Sequence, residues 1–226
     1  VPEQAPDWNA HLAREEARYR DGEARLESER DADSRQRQLT RLANAANGAG
    51  LALLMAGRRD DGAAWLERAA DRYRESFADA PPDSWGRPIA AMKARMLADD
   101  AGGAREDARW ALDAGAATST SPIGRYAAAL ACLVLGDDVG ARIHADAIRT
   151  RDDFPHDVGD ALAFVAAHDP IGYTNAIELV LASFEQRDDY LEDMPVADTV
   201  LVLQALAERR GLHVALSSSL LPADGA

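Results

Sequence analysis

Clustered carboxylates are the side chains of this 226-residue chain with the plainest chemical potential. Asp-Asp pairs begin at Asp60, Asp99 and Asp137, and the segment RDDYLED, from Arg187 to Asp193, adds Asp188, Asp189, Glu192 and Asp193. Carboxylates so placed can hold a hard cation such as magnesium. A structural role competes with that chemistry. Each pair falls where the second helix of a hairpin is expected to start, and an Asp there accepts from unpaired backbone N–H groups while its charge suits the positive helix end. Asp169-Pro170, Ser121-Pro122 and Asp193-Met194-Pro195 repeat the pattern, with proline early in the first turn where no donor is lost. Capping is the preferred reading of these positions. The Asp-rich segment reads as a solvated connector, with a metal-dependent helical enzyme built on residues 188–193 as the alternative.

The remaining candidates are isolated. His11, His144, His156, His168 and His213 stand singly, without the paired spacing of a zinc protease. Cys132 lies in AAALACLVLG, the most apolar helix expected, where a thiol acts as a small hydrophobe. Neither a phosphate loop nor a dinucleotide fingerprint is present among the glycines. No catalytic residue, metal or cofactor is assigned, and the chain reads as a non-enzyme.

Apolar residues recur every three to four positions, and alternation with period two is confined to the last fifteen or so residues. This predicts an all-α fold. Helices are expected at 8–30, 39–56, 62–78, 85–98, 104–114, 122–135, 139–149, 157–167, 170–186 and 195–210, divided by Asp, Gly and Pro clusters. The polar run ESERDADSRQRQ separates the first two, giving an N-terminal helix and connector over 1–38 and a repeat domain over 39–226. Aligning Gly62, Gly103, Gly140 and Gly172 gives a period of 32 to 41 residues. That period suits a right-handed α-α superhelix of stacked antiparallel hairpins, with a short extended C-terminal tail. The 48 alanines permit close helix approach, while Leu66, Tyr73 and Phe77 share a face with Ala63 and Ala70 as plugs. Trp65, Trp85 and Trp110 are read as core or inter-repeat packing; Trp8 is left open.

The charge narrows the partners. Twenty-five basic and thirty-nine acidic side chains leave −14, a field that repels nucleic acid and anionic membranes. Asp outnumbers Glu 26 to 13, and Lys93 is the sole lysine against 24 arginines. Salt adaptation accounts for that bias; an acidic face built for a basic partner competes with it. One cysteine, no apolar run approaching a membrane span and no secretion signal in the N-terminal text point to a cytoplasmic protein. If hairpins stack, polar residues on the first helix of each pair would line the concave side. Asn44, Asn47, Arg87, Lys93, Arg95, Arg125 and Tyr126 form that expected row, a partly basic, amide-rich groove for a protein partner.

Two stretches carry a family resemblance. MPVADTVLVLQALAERRGLHVALSSSLLP looks like the closing segment of the Immunity protein 49 family of polymorphic-toxin systems, and ALLMAGRRDDGAAWLERAADRYRESF is similar to that family's central portion. The resemblance spans about 40 to 222. It implies a non-enzymatic binder that neutralises a toxin by occluding it, and it brings no catalytic residues. Tetratricopeptide-like scaffolds resemble the chain more generally. A second, superficial likeness joins RDDYLED to the Asp-rich diphosphate motif of helical prenyl and terpene synthases, but no second motif answers it.

Overall fold

Ten α-helices carry the fold among the described residues of the computed structural model, which describes residues 6–223. They are α1 (Trp8–Ser28), α2 (Ala32–Met55), α3 (Arg59–Phe77), α4 (Gly86–Leu97), α5 (Ala101–Asp113), α6 (Pro122–Leu135), α7 (Asp138–Ile148), α8 (His156–Ala166), α9 (Pro170–Glu185) and α10 (Asp198–Glu208). No strand occurs in this range. The ends of the two expected units, residues 1–5 and 224–226, lie outside the described residues. The boundary placed after residue 38 falls inside α2, because Asp31 accepts from the Ser34 N–H and starts that helix within the polar run.

The cadence of the sequence is a capping motif. Asp100, Asp137 and Asp169 each accept from the N–H of the glycine three residues on, Gly103, Gly140 and Gly172, and Ser121 does the same with Gly124. At Gly103 and Gly140 a Cβ would collide with the capping carboxylate itself, so glycine lets the cap close. The first Asp pair does not follow this rule. Asp60 and Asp61 lie in the first turn of α3, where Asp61 pairs with Arg58 at 2.7 Å and Arg58 provides no side-chain cap. Pro195 departs as well, for α10 begins only at Asp198 with Ala197 before it. Residues 194–196 instead run across α1 and α2, with Met194 and Val196 buried against Leu51 and Ala52 and packed by Trp8 and Leu12.

Each helix packs on the next in sequence; in addition α4 meets α6, α6 meets α8, and α10 lies against α4 and α8. Helix α6 is therefore surrounded, and Ala127 to Val134 are all buried. Cys132 lies on it; burial, with Asp137 beside the thiol, pushes its pKa up to about 11 and leaves it inert near neutrality. Alanine brings the axes together: Ala69, Ala70, Ala91, Ala94, Ala104, Ala108 and Ala111 are wholly buried. Leu66 and Tyr73 fill between them, while Phe77 is half-buried against Trp110, edge to face at 5.2 Å. Trp85 is buried at the start of α4, and Trp65 meets the Tyr19 ring edge to face.

After Gly211, which takes the left-handed conformation at φ 73°, the described tail carries no helix or strand. From Leu212 to Leu220 it alternates between exposed and covered residues, and Leu220 and Leu221 enter the core. The Ala197 N–H donates to Leu220 O at 2.9 Å, fastening the tail to the start of α10.

Helices α2 and α3 cross closely, at two glycines. A Cβ on Gly50 would sit 2.6 Å from Leu66 Cγ and 3.1 Å from Gly62 O. Gly50→Val should therefore cost about 1–3 kcal/mol through overpacking, measured as a lower urea midpoint at unchanged slope.

Candidate functional site

The expected row of seven side chains does not form one surface. Arg95 turns to the α3–α5 side, where Asp71, Asp100 at 3.3 Å and Asp107 at 3.5 Å hold it. Arg87 joins α2 to α3, donating to Thr40, Ser76 and Gln36. Arg125 donates to Ala117 O at 2.9 Å and lies 3.2 Å from His144 Nδ1. These three arginines tie neighbouring elements of the chain together. The other four gather elsewhere: Asn44, Asn47 and Lys93 line one pocket, and Tyr126 lies near enough to feel the Lys93 charge.

The side of α4 expected to be open to a partner is covered by the chain itself. Helix α10 lies against α4 and α8, burying Val200, Leu203 and Leu206. Lys93 Nζ on α4 reaches Asp198 Oδ2 at 2.6 Å and donates to Thr199 Oγ1 at 3.0 Å, both at the start of α10. Burial alone would lower the Lys93 pKa, but the adjacent Asp198 carboxylate outweighs it and holds the ammonium above its ordinary value. The lysine is thus committed to its own chain.

On the other side of the pocket the Asp-rich segment folds inward. Glu192 has left-handed backbone, φ 56° and ψ 30°, which aims its carboxylate at Asn44 and Arg18. Asn44 Nδ2 donates to Glu192 Oε1 at 2.9 Å and accepts at Oδ1 from the Tyr73 hydroxyl at 2.8 Å. Behind them Glu15, fully buried, takes Arg14 at 2.8 Å and Arg18 at 2.9 Å, in space that Gly48 leaves free on α2. Arg14 also donates to Glu192 O at 2.6 Å. This lattice latches α1 and residues 190–193 onto α2. The expected solvated connector holds for Asp188 and Asp189, which are exposed, but not for Glu192. The four carboxylates of the segment do not converge, and among the described residues no group of three His, Cys, Asp or Glu is arranged to hold a metal ion.

The resulting pocket encloses about 260 Å³. Asn44, Asn47, Tyr73, Lys93, Asp198 and Arg187 supply its polar wall; Leu51, Phe184, Met194 and Val196 supply an apolar one. Asp198 is not singled out by the sequence because it carries no local motif and lies far from Lys93 along the chain; Tyr73 reads there only as a core plug, and Glu192 and Arg187 only as part of the RDDYLED segment weighed for a metal. A larger cleft of about 610 Å³ lies between the tail and α2, α4 and α10, with Leu54, Met96, Leu97, Leu201 and Leu216 in its walls.

Away from both, large aliphatic side chains face outward. Val139 and Ile143 lie one turn apart on α7, at 74% and 60% exposure, and Ile171 and Leu179 on α9 reach 75% and 55%. His168, just before α9, bonds Asp138 at the start of α7 at 2.8 Å, which ties the two N-terminal ends. No family model, curated protein or solved structure matches this chain.

Two predictions follow from the latch and the ion pair. Burial by itself would raise the Glu192 pKa, but hydrogen bonds from Asn44 and Arg18 and the charges of Arg18 and Arg14 hold it below the ordinary 4.5. A depressed folded-state pKa contributes stability above the unfolded value that is lost as pH falls through the folded one. Glu192→Gln should therefore flatten the fall in unfolding free energy between about pH 5 and pH 3, read from urea titrations at each pH. Lys93→Met strands Asp198 beside a partly buried helix start; a loss of about 2–3 kcal/mol in the same assay is expected.

Proposed function

We propose that the hairpins form a right-handed α-α superhelix of the tetratricopeptide or HEAT kind and that this array is a protein-binding module. The contacts of α4 with α6 and α6 with α8 support stacked hairpins, since alternate helices meet when each pair leans on the next. The observation that carries the binding reading is the outward aliphatic face of α7 and α9. Val139, Ile143, Ile171 and Leu179 gain little from the chain's own core, whereas large aliphatic side chains held in water suit a partner. With the inner side filled by α10, the partner face is the outer one, not the row of Asn44, Asn47, Arg87, Lys93, Arg95, Arg125 and Tyr126.

The formal charge of −14 favours a basic partner, because opposite potentials steer association and fix orientation. Together with the resemblance of residues 40–222 to Immunity protein 49, this makes neutralisation of a basic toxin by occlusion the specific reading. The excess of Asp over Glu and the near absence of lysine favour a second property, adaptation to concentrated salt, which can coexist with the first.

The product of the gene next to this one is the partner to test. It should form a complex on a sizing column with light-scattering detection, and the joint substitution Val139→Glu and Ile143→Glu should weaken that complex about a hundredfold. Far-UV circular dichroism should not change, since both side chains are exposed. Equal affinity of the double variant would remove the α7 face, and absence of any complex would remove the immunity reading.

A further inference from the structure

The pocket at the meeting of α2, α4, α10 and residues 184–199 has an uneven balance of charge. Two of its cations and carboxylates cancel internally: Lys93 with Asp198, and Glu192 with Arg18 from behind. Arg187, an exposed residue at the rim of the pocket, is left over. Its guanidinium carbon lies 3.6 Å from the Phe184 ring centroid, and among the described residues no carboxylate stands within ion-pairing distance of it. A guanidinium stacked on an aromatic face keeps its N–H edge directed outward, ready for a planar anion. Arg187 is also close enough to Lys93 for the two positive charges to oppose each other.

Asn47 adds a second unused group. It is half-buried on α2 within the same pocket, and its side-chain amide makes no hydrogen bond with any described residue. Its donor and acceptor are open to the pocket and to solvent, so a ligand that enters can take both. Across from these polar groups stand Leu51, Phe184, Met194 and Val196. An apolar wall with a few converging polar groups is the usual form of a small-molecule site, and about 260 Å³ suits a ligand smaller than a typical drug.

We infer that this pocket binds a small monocarboxylate with an apolar body, its carboxylate on Arg187 and Asn47 and its body against Leu51, Phe184, Met194 and Val196. One negative charge cancels the one uncompensated cation, so a local anion site exists despite the acidic surface. The site is independent of any partner protein on the α7 and α9 face.

Phenylacetate and its neutral isostere phenylacetamide test this on the full chain, by calorimetry and by saturation-transfer NMR. Phenylacetate should bind saturably at about millimolar concentration, and the amide about tenfold more weakly. Arg187→Gln should weaken phenylacetate about tenfold and abolish the preference for acid over amide, and Asn47→Ala should weaken it several-fold. Arg187→Lys, which keeps the charge, should retain part of the acid preference, and Arg20→Gln, exposed on α1, should change nothing. Unchanged circular dichroism of each variant shows that the fold is intact. No saturable binding, equal binding of acid and amide, or full affinity in folded Arg187→Gln overturns the assignment.

Discussion

The docking of α10 across α4 and α8 is the constraint on which the rest of this structure depends. Val200, Leu203 and Leu206 need apolar cover, and the sides of α4 and α8 that face α10 need it equally. Burying the three side chains contributes several kcal/mol, at about 1.5–3 kcal/mol each before the unfolded chain's own burial is discounted. The Lys93–Asp198 pair then sets where along α4 the helix starts. Hydrophobic burial holds α10 in place, and the charged pair fixes its register.

That docking determines where residues 187–197 must go. The chain leaves α9 on one side and has to cross α1 and α2 to reach the start of α10. Met194 and Val196 are buried on the way, and Glu192 adopts left-handed backbone so that its carboxylate meets Arg18 and Asn44. A segment that reads as a solvated acidic loop thus becomes the latch for the N-terminal helix. Left-handed backbone at a non-glycine residue costs about 1–3 kcal/mol. Here the charge-assisted hydrogen bonds to Glu192 oppose that cost.

The same arrangement separates two surfaces. Where α10 covers α4 and α8 the polar groups serve internal pairing, whereas Asn47 and the exposed Arg187 line the small pocket without a partner carboxylate. Elsewhere Val139, Ile143, Ile171 and Leu179 stay in water. Arg87, Arg95 and Arg125 show why residue type alone misleads about such surfaces. Arginine carries five donors on a long stem, so it can bridge helices within a fold as readily as it meets a partner.

The ten helices were legible in the text because apolar periodicity and the Asp-x-x-Gly caps are local signals, set by backbone geometry over a single turn. Their boundaries agree within three residues except at α2, where a polar run hides the true start. The burial of Cys132 and of the alanine stretches was equally plain from composition. What no local signal could reveal is that Asp198 meets Lys93 from 105 positions away, or that Glu192 reaches Asn44 from 148. Those pairings exist because α10 returns over the array, and the return is decided by the fit of complementary apolar faces, a property of the folded chain as a whole and not of any segment in it.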